Sequence, residues 1–567
     1  MCTLLSPYQT RLPRVVDFPH DFKVSYNEYL GTYNLVTHVL EPWALKQPNH
    51  NALIFTDGKV TETMTYSELL TQADQLASSL SHRGLPAPKC AIVILPKIKP
   101  WWVINTAASL TETIISPGSL MLSEKDILYR LKMCEADAIF CDISTMRKIE
   151  RSTKHIPWRI LTDETEEEEI KALPKDWVSY HSILDEGKGM KPIRKKFNGH
   201  SIAQLFFTSG TTGHPKMVPH TQFGYGMGHM VTAREWLNLQ PEDIMWNVSD
   251  LGWGKSAYSN LYAPLLSGCT SFIHKMPKFD SKTVLKTLEE VPISVICLPP
   301  TAYRAIVQED LSKFKPKNLK RCASAGEPLT EEVQNFWKEK TGIWIQEGYG
   351  QSEGTISCFT TPEMKVKPGF TGKPTYGFHL KATSRILFWT PNLNELGPNE
   401  VGQIAYDLKR GWPYGLFKGD NAFVDEEGYV CCVGRNDDII KTAGYVIRNI
   451  LIMFGLTSYR VGPFEVESAL IEHPAVIESA VVGSPDKERG HVIKAFVVLR
   501  EDYKESIKTE EGYSALVKEL KDFVKNVTAP YKYPRKIEFV DDLPKTNSGK
   551  IRRIELRERE RKLNKKD

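Results

Sequence analysis

A loop rich in glycine and hydroxyl side chains is the part of this sequence best suited to chemistry. It follows an apolar run at 202–207, which is typical of a strand, and it ends at Lys216. Glycines let backbone N–H groups turn inward, hydroxyls add donors and the lysine adds positive charge, a combination that suits phosphate. The predicted phosphate-binding residues are Thr208, Ser209, Gly210, Thr211, Thr212, Gly213 and Lys216.

Two other interpretations of this loop are a P-loop and an ordinary polar loop. A P-loop needs G-x-x-x-x-G-K-[ST], and the spacing of Gly210, Gly213 and Lys216 does not fit it. The chain also contains Gly254-Lys255-Ser256, but Ser249 stands where that motif needs its first glycine. An ordinary polar loop after a strand is the other alternative, and the loop's length and final lysine argue against it.

Short apolar runs alternate with helical patterns on both sides of the loop. Strands are predicted at 90–95, 138–141, 271–273 and 293–298, and a helix is predicted to begin at Ser67 as its cap. This alternation is typical of parallel α/β layers. The strand before the phosphate loop would therefore belong to a layered α/β domain.

A smaller α/β unit is predicted after about residue 434. Helices are expected at 464–471 and 514–526, and strands at 475–482 and 492–499. The chain is then strongly basic, and we interpret its end as a solvated tail. The predicted fold class is thus α/β, with a large N-terminal domain of layered sheets and helices and a small C-terminal α/β domain.

Composition excludes several classes of function. The 567 residues allow two or more domains, and 73 basic against 69 acidic residues are too balanced for nucleic-acid binding. Ten cysteines without a C-x-x-C pair favour reduced thiols over a zinc site. The apolar run at 450–456 is too short to span a membrane. Residues 1–16 contain Arg11 and Arg14 and no acid, which is compatible with a short organellar presequence.

The phosphate loop also resembles a family signature. Thr208–Lys216 is similar to the phosphate loop of the adenylate-forming superfamily, which includes acyl-CoA synthetases, firefly luciferase and peptide-synthetase adenylation domains. Ser324–Leu329, Glu347–Glu353, Gly434–Gly444 and Pro544–Lys550 resemble further motifs of the same superfamily, in the same order. The resemblance implies activation of a carboxylic acid with ATP.

The resemblance implies a role for each motif. Lys550 would bridge the α-phosphate and the attacking carboxylate, Thr208 would contribute to catalysis, and Glu353 would hold Mg²⁺. Trp253 would line the acyl pocket, although an ordinary core position is an equal alternative. The implied ATP-binding residues outside the loop are Gly326, Glu327, Pro328, Glu347, Gly348, Tyr349, Gly350, Gln351, Ser352, Asp420, Arg435 and Arg460.

Within the superfamily, the chain resembles the medium-chain acyl-CoA synthetases, a mitochondrial group. Asp243–Trp253, Arg460–Pro474 and Thr528–Glu538 carry this likeness. It implies that the small domain is mobile about a hinge near Asp437, so that the thiol of coenzyme A can attack the acyl-adenylate. The implied CoA-binding residues are Ala443, Gly444, Tyr445, Arg489, Tyr533 and Arg535, with Lys532 and Lys536 in the same basic cluster.

The predicted organisation follows from these motifs. We expect a short N-terminal segment at 1–23, an adenylation domain at 24–435, a C-terminal lid with the lysine loop at 436–550 and a basic tail at 551–567. The expected activity joins a medium-chain fatty acid or similar small carboxylic acid to CoA in the mitochondrial matrix, with release of AMP and pyrophosphate. A carrier protein is the alternative acceptor, and the Arg460–Pro463 and 528–538 segments favour CoA instead.

Two segments depart from the family pattern. The 417–423 segment is short and has no threonine before Asp420, and an apolar segment at 446–459 separates Tyr445 from Arg460. Both lie near residues that the resemblance assigns to ATP. They leave open the alternative of a catalytically impaired or silent homologue that binds nucleotide or acyl groups.

Overall fold

The computed structural model describes most of the chain, in segments. The described residues are 15–17, 23–25, 31–83, 85–163, 171–208, 215–276, 279–374, 380–383, 397–406, 420–435, 440–442, 459–461, 463–486, 490–528, 532–545 and 551–563. The chain divides into two compact units. The large unit comprises Met1–His379 with Leu408–Tyr414, and the small unit comprises Leu380–Asp407 with Gly415–Asp567.

The strands of the large unit form two extended sheets and a short pair. They are β1 (Val15–Asp17), β2 (Lys23–Ser25), β3 (Asn51–Thr56), β4 (Thr61–Thr65), β5 (Cys90–Ile94), β6 (Ile114–Pro117), β7 (Ala138–Cys141), β8 (Trp158–Leu161), β9 (Val178–Ser179), β10 (Ile202–Thr208), β11 (Lys216–Thr221), β12 (Ile244–Asn247), β13 (Thr270–His274), β14 (Val295–Leu298), β15 (Arg321–Ala325), β16 (Ile345–Gly350), β17 (Ile356–Phe359) and β18 (Lys373–Pro374).

Helices connect and cover these strands. They are α1 (Glu41–Lys46), α2 (Tyr66–His82), α3 (Pro100–Thr111), α4 (Glu124–Met133), α5 (Ile143–Ile149), α6 (Tyr180–Glu186), α7 (Gln222–Val231), α8 (Gly254–Ser256), α9 (Ala263–Ser267), α10 (Ser281–Glu290), α11 (Pro300–Ile306) and α12 (Glu331–Thr341). Short π-helical turns at Val36–Leu40, Thr232–Trp236 and Ala257–Tyr262 continue the helical segments beside them.

Both extended sheets are parallel in their centres. One has the order β11-β10-β6-β5-β7-β8-β9, and the other has the order β18-β17-β16-β15-β14-β12-β13-β3-β4. Antiparallel strands occur only at the described edges: β11 in the first sheet, and β4, β17 and β18 in the second. Consecutive buried residues fill β5, β7, β13 and β14, as expected for strands covered on both faces. The predicted α/β class is confirmed.

Local predictions in the large unit were confirmed with one correction. The predicted strands at 90–95, 138–141, 271–273 and 293–298 correspond to β5, β7, β13 and β14. The predicted cap at Ser67 was wrong, because α2 begins at Tyr66 and Thr65 caps it. The Thr65 hydroxyl accepts from the N–H of Glu68 at 3.2 Å, and the Glu68 carboxylate accepts from the N–H of Thr65 at 2.7 Å.

The small unit contains a four-stranded antiparallel sheet, a hairpin and a three-stranded sheet. Its strands are β19 (Leu380–Thr383), β20 (Gly402–Tyr406), β21 (Asp420–Val424), β22 (Val430–Arg435), β23 (Ile440–Thr442), β24 (Tyr459–Val461), β25 (Val476–Asp486), β26 (Gly490–Leu499) and β27 (Lys536–Phe539). Its helices are α13 (Pro463–Ile471), α14 (Glu501–Lys504), α15 (Glu510–Val527) and α16 (Arg553–Leu563), with a 3₁₀ turn at Ser506–Lys508.

Helices cover both faces of the three-stranded sheet. On one face, α13 and α15 supply Leu470 and Leu520 to a core that contains Val481 of β25. On the other face, Leu556 of α16 packs with Phe496 of β26 and Leu543. The elements predicted after residue 434 were confirmed. The prediction of a solvated tail was wrong at Leu556 and Glu560, which α16 buries, whereas the other described residues of 551–562 are half-buried or exposed.

Candidate active site

The predicted phosphate loop connects the two strands of an antiparallel hairpin. Thr208 ends β10, Lys216 begins β11, and the two residues are direct cross-strand partners. Residues 209–214, which include Ser209, Gly210, Thr211, Thr212 and Gly213, lie outside the described residues. Thr208 is half-buried and Lys216 is exposed. Cross-strand partners have neighbouring side chains, so a hydroxyl and an ammonium group stand together at the mouth of this hairpin.

Two side chains from elsewhere in the large unit hold the hairpin. The Tyr129 hydroxyl of α4 donates to the carbonyl oxygen of Pro215 at 3.2 Å. Nε2 of His220 lies 2.7 Å from the carbonyl oxygen of Ser352, a contact that needs a proton on this nitrogen. Burial lowers the pKa of His220, so a neutral ring with its proton on Nε2 makes this bond. The hairpin is thereby joined to the segment that contains Glu353.

The implied adenine-binding segments meet at one sheet edge. Strands β15 and β16 are parallel neighbours, with Ala325 paired to Gly348. The turn after β15 and the end of β16 therefore share the carboxyl edge of the sheet, where parallel α/β proteins bind ligands. Gly326 has φ +110°, and a Cβ added there would meet no atom within 4 Å. The turn is open on this side, as a ligand cradle requires.

The end of β16 exposes polar groups beside that turn. Tyr349 and Gln351 are half-buried, whereas Ser352 and Glu353 are exposed. A side chain could not replace Gly350, because its Cβ would lie 2.6 Å from the carbonyl oxygen of Thr355. The structure thus places Tyr349, Gln351, Ser352 and Glu353 where solvent or a ligand can reach them.

Glu347 and Gly348 are buried behind this surface. Glu347 is 4% exposed, and its Oε1 accepts a hydrogen bond from the Thr371 hydroxyl at 3.3 Å. Burial raises the pKa of Glu347 to about 8, against the opposing hydrogen bonds from the Leu329 N–H and from Thr371. The carboxyl joins the 324–329 segment to the strand that carries Tyr349, and it is protonated at neutral pH.

An ion pair holds the exposed turn after β15. Nη2 of Arg304, on α11, lies 3.0 Å from Oε2 of Glu327. Pro328 follows and is half-buried. Arg304 fixes the direction of the Glu327 side chain, and the two charges leave no net charge at this turn. The sequence contains no motif that relates Arg304 to Glu327.

The segment that carries Trp253 is fixed from two sides. Nζ of Lys97 donates to the carbonyl oxygen of Val248 at 2.8 Å, and the Ser119 hydroxyl donates to Oδ2 of Asp250 at 3.2 Å. Burial lowers the pKa of Lys97 to about 8, although the neighbouring Asp250 opposes this change. Trp253 is half-buried, in contrast to the fully buried Trp246.

Lys255 joins the Trp253 segment to the adenine-side turn. Its Nζ donates to the carbonyl oxygen of Ala325 at 3.1 Å, directly before Gly326. The structure therefore brings together the ends of β12 and β15, two parallel strands on either side of β14. Sequence reasoning considered Lys255 only as part of a rejected P-loop and missed this contact. Whether Trp253 contacts the acyl group stays a prediction.

The small unit brings Asp420 and Arg435 together. Asp420 begins β21 and Arg435 ends β22, and the two are cross-strand partners. Arg460 lies in a separate hairpin, where it pairs with Lys441 of β23. The structure thus places two of the implied ATP-binding residues, Asp420 and Arg435, at one sheet end. Residues 417–419 and 446–458 lie outside the described residues, as do Ala443, Gly444, Tyr445 and the predicted hinge residue Asp437.

The predicted CoA-binding cluster is partly described. Nη1 of Arg535 donates to the Tyr533 hydroxyl at 3.0 Å, and Nζ of Lys525 lies 4.6 Å from the centre of the Tyr533 ring. Burial and the charges of Lys525 and Arg535 lower the pKa of Lys521. Convergent positive charge of this kind favours an anionic ligand. Lys521 and Lys525, one helical turn apart on α15, were missed by sequence reasoning. Arg489 lies outside the described residues.

The predicted catalytic lysine follows a paired segment of chain. Lys545 forms a β-bridge with Ile551, and the N–H of Arg552 donates to the carbonyl oxygen of Pro544 at 2.7 Å. Lys550 itself lies outside the described residues, but the chain on both sides of 546–550 is fixed.

The donor groups fit a magnesium nucleotide and coenzyme A. Mg²⁺ takes few protein carboxylates and keeps phosphate oxygens as ligands, so the single exposed carboxylate of Glu353 suits an ion that arrives with ATP. Over the described residues, no group of three or more His, Cys, Asp and Glu side chains could hold a metal ion without such ligands. None of the helices in the described ranges is long and apolar enough to cross a bilayer.

Comparisons with known proteins agree with this geometry. The AMP-binding enzyme family matches residues 40–407, and the AMP-binding enzyme C-terminal domain matches residues 465–550. The chain is 38% identical to the mitochondrial acyl-coenzyme A synthetase ACSM3 of Rattus norvegicus, over 98% of this chain and 96% of the relative. It is also 38% identical to mitochondrial ACSM4 of Mus musculus, over 93% and 90% of the two chains.

A solved structure shares the fold over almost the whole chain. The anthranilate CoA ligase AuaEII in complex with anthranoyl-AMP is 25% identical, covers 94% of this chain and 99% of its own, and has a TM-score of 0.78. The chain therefore belongs to the AMP-binding enzymes and, within them, to the medium-chain acyl-CoA synthetases. It is a ligase that acts on a small carboxylic acid and uses ATP, Mg²⁺ and coenzyme A.

These matches bear on two further predictions. The relatives are mitochondrial proteins, which supports a mitochondrial location for this chain by resemblance. The alternative of an impaired or silent homologue is not favoured, because the similarity to acyl-CoA synthetases extends over nearly the full length.

Proposed function

We propose that this chain converts a medium-chain fatty acid, or an aromatic acid of similar size, to its CoA thioester in the mitochondrial matrix. The observation that carries the proposal is the shared sheet edge: Tyr349 lies at the end of β16, Gly326 follows the neighbouring β15, and a hydrogen bond to β15 holds the segment of Trp253 there. An acid bound beside Trp253 and an adenine bound beside Tyr349 would place a carboxylate next to a nucleotide.

In the first half-reaction, the acid's carboxylate oxygen attacks the α-phosphate of ATP and pyrophosphate leaves. Thr208, Lys216 and the residues between them bind the β- and γ-phosphates. Tyr349 stacks on adenine, and Asp420 and Arg435 bind the ribose hydroxyls. Lys550 neutralises charge shared by the carboxylate and the α-phosphate, which is the largest electrostatic demand of this step.

Glu353 is the proposed protein ligand of Mg²⁺. The ion supplies charge neutralisation for the leaving pyrophosphate when it is bound. The hydrogen bond from His220 to Ser352 fixes the chain one residue before this carboxylate. Glu353 is therefore held at a defined place relative to the phosphate hairpin.

In the second half-reaction, the thiol of CoA attacks the acyl carbonyl and AMP leaves. Residues 443–445 line the path of the thiol-bearing arm. Arg489, Arg535 and Tyr533 bind the nucleotide end of CoA, and Lys521 and Lys525 add charge to that cluster. Burial lowers the pKa of Lys521, and the charges of Lys525 and Arg535 lower it further. A bound phosphate would relieve that repulsion, which supports anion binding here.

Release of AMP from ATP, CoA and a panel of acids tests the activity and its range. We expect turnover with octanoate or benzoate and far less with acetate. Discrimination should be gradual, because one methylene changes binding by only about 1–3 kcal/mol. Pyrophosphate release without CoA, together with acyl-CoA formation when CoA is added, would confirm both half-reactions. Absence of acyl-AMP with every acid would contradict the proposal.

Import into isolated mitochondria tests the proposed compartment. We expect the full chain to become resistant to protease in intact mitochondria and in mitochondria whose outer membrane has been ruptured. Digestion after rupture of the outer membrane alone would place the protein outside the matrix.

A further inference from the structure

We propose that the ion pair between Arg553 and Glu467 positions Lys550 for adenylation. Arg553 is three residues beyond Lys550 and begins α16, whereas Glu467 lies in the middle of α13. This inference rests on the role proposed above for Lys550. It adds two residues, distant from each other in sequence, to those on which the first half-reaction depends.

The ion pair has a fixed two-point geometry. Nε of Arg553 donates to Oε1 of Glu467 at 2.9 Å, and Nη2 donates to Oε2 at 2.6 Å. The N–H of Val481 in β25 also donates to Oε1, at 2.7 Å. Glu467 is 4% exposed, so its carboxylate is held inside the small unit by three charge-assisted bonds. A guanidinium that is bound at two points cannot rotate freely.

The chain before Lys550 is fixed as well. Lys545 pairs with Ile551 across the five intervening residues, and its Nζ lies 2.7 Å from Oε2 of Glu478. The segment 546–550 therefore begins and ends at neighbouring, anchored points. Only Ile551 and Arg552 separate Arg553 from Lys550 along the chain. The anchor at Arg553 therefore limits the positions open to Lys550 within this proposal.

Helix α16 does not need this ion pair simply to remain attached. Leu556 packs against the sheet, and Lys494 of β26 forms a second buried pair with Glu560 at 2.6 Å. Buried ion pairs stabilise folds weakly compared with apolar packing, because both charges lose their hydration. A pair beside the catalytic loop therefore points to a role in geometry. The second pair lies ten residues from Lys550 and serves as a control, although Lys494 keeps a further carboxylate partner in Glu538, at 2.7 Å.

Arg553→Met and Glu560→Gln compare the two ion pairs. We expect Arg553→Met to lower acyl-AMP formation, measured as pyrophosphate release without CoA, on the order of a hundredfold. Thioester formation from preformed acyl-AMP should change less than about twofold, since Lys550 acts on the α-phosphate during adenylation. Glu560→Gln should leave both half-reactions within about threefold. Equal losses in both half-reactions for Arg553→Met would overturn the inference.

Lys550→Ala is the variant in which the effect of Arg553→Met is measured a second time. If Arg553 acts through Lys550, adding Arg553→Met to Lys550→Ala should cause no further loss of adenylation. Multiplicative losses in the double variant would show that Arg553 acts independently, which contradicts the inference. Full adenylation by Lys550→Ala alone would instead refute the role proposed for Lys550.

Arg553→Lys keeps the charge but cannot form both bonds, so it tests geometry in a chain that keeps its charge balance. We expect an intermediate loss of adenylation with thioester formation intact. Adenylation equal to that of the natural chain would contradict positioning by the two-point contact. Thermal unfolding of each variant identifies losses that come from the fold, and the acyl-AMP half-reaction provides a readout that a purely structural role would not alter selectively.

Discussion

The phosphate hairpin of the large unit and the lysine loop of the small unit are built alike but anchored differently. Each connects two paired positions, Thr208 with Lys216 in the first and Lys545 with Ile551 in the second. The hairpin belongs to a seven-stranded sheet, and neutral bonds from Tyr129 and His220 hold it. The lysine loop has only an isolated bridge, and ion pairs hold the chain beside it.

This difference shows which interactions fix the position of each loop. A strand pair in a large sheet fixes a loop through many backbone bonds, so removal of one side-chain anchor changes little. A single bridge leaves most of the constraint to the side chains around it. We therefore expect activity to be more sensitive to changes around the lysine loop than to comparable changes around the phosphate hairpin.

The largest effect should come from removing the lysine itself. Lys550→Ala should lower acyl-AMP formation about a thousandfold, because the charge that develops at the α-phosphate loses the cation proposed to neutralise it. Lys562→Ala removes an exposed lysine from the same basic region and is the control, with an expected change below about twofold. Pyrophosphate release without CoA measures both. A loss below about tenfold for Lys550→Ala would contradict the expectation that activity is most sensitive to changes in the lysine loop.

The next largest effect should be a change in the free energy of unfolding with pH, caused by Glu347. Its pKa is raised to about 8 in the folded chain, so folding binds a proton between pH 4.5 and 8 that the unfolded chain releases. Stability from this group is complete below about pH 4.5 and is lost as the pH rises through 8. Relative to Glu347→Gln, the natural chain should lose about 2 kcal/mol between pH 6 and pH 8.

Denaturant unfolding at pH 6 and pH 8, without nucleotide, measures that difference. Glu467→Gln is the contrasting change in the small unit, because that carboxylate forms a two-point ion pair with Arg553. A constant difference between the natural chain and Glu347→Gln across this pH range would show that Glu347 is ionised throughout. The sheet edge would then tolerate a buried charge after all.

Tyr349→Ala should have a smaller effect, confined to nucleotide binding. Loss of an aromatic face beside adenine should raise the KM for ATP about twofold to tenfold, equivalent to the roughly 0.5–1.5 kcal/mol of an aromatic pair. Tyr349→Phe keeps the ring and should keep most of the affinity. If both variants bind ATP equally well, adenine does not stack on this residue.

The smallest effect should come from a neutral anchor of the hairpin. Tyr129→Phe removes the bond to Pro215, and the net value of such a bond is about 1 kcal/mol, so kcat/KM for ATP should fall about threefold to fivefold. Tyr513→Phe removes a similar bond to the carbonyl oxygen of Ile537 in the small unit and controls for stability. A loss for Tyr129→Phe as large as that for Arg553→Met would contradict the comparison of the two loops.

The sequence predicted those parts of the molecule that depend on local pattern. Strands β5, β7, β13 and β14 follow from short apolar runs, and the order of motifs led to the family. The helix that begins at Tyr66 shows the limit of a local reading. Ser67 has the composition of a cap, but the reciprocal bonds of Thr65 and Glu68 decide the boundary, and only their spacing of three reveals it.

The anchors of the site could not be predicted, because they join distant parts of the chain. Tyr129 and Pro215 are 86 residues apart, and His220 and Ser352 are 132 residues apart. No spacing rule relates such residues, since their proximity results from the order of strands in the sheets. The buried positions of α16 could not be predicted for the same reason. Leu556 and Glu560 are buried by a sheet formed much earlier in the chain, while most of their neighbours are charged.

The pairing of β23 with β24 has a consequence for how the enzyme could be engineered. Thr442 and Tyr459 are cross-strand partners, so the chain between them leaves and returns at adjacent points. Closing a longer connection between adjacent points costs little, about 0.6 kcal/mol for each doubling of its length. Fluorescent or affinity sequences could therefore be introduced into this connection beyond Tyr445, which preserves the register of Lys441 with Arg460 and leaves residues 443–445 unchanged. They would provide a reporter close to the predicted hinge.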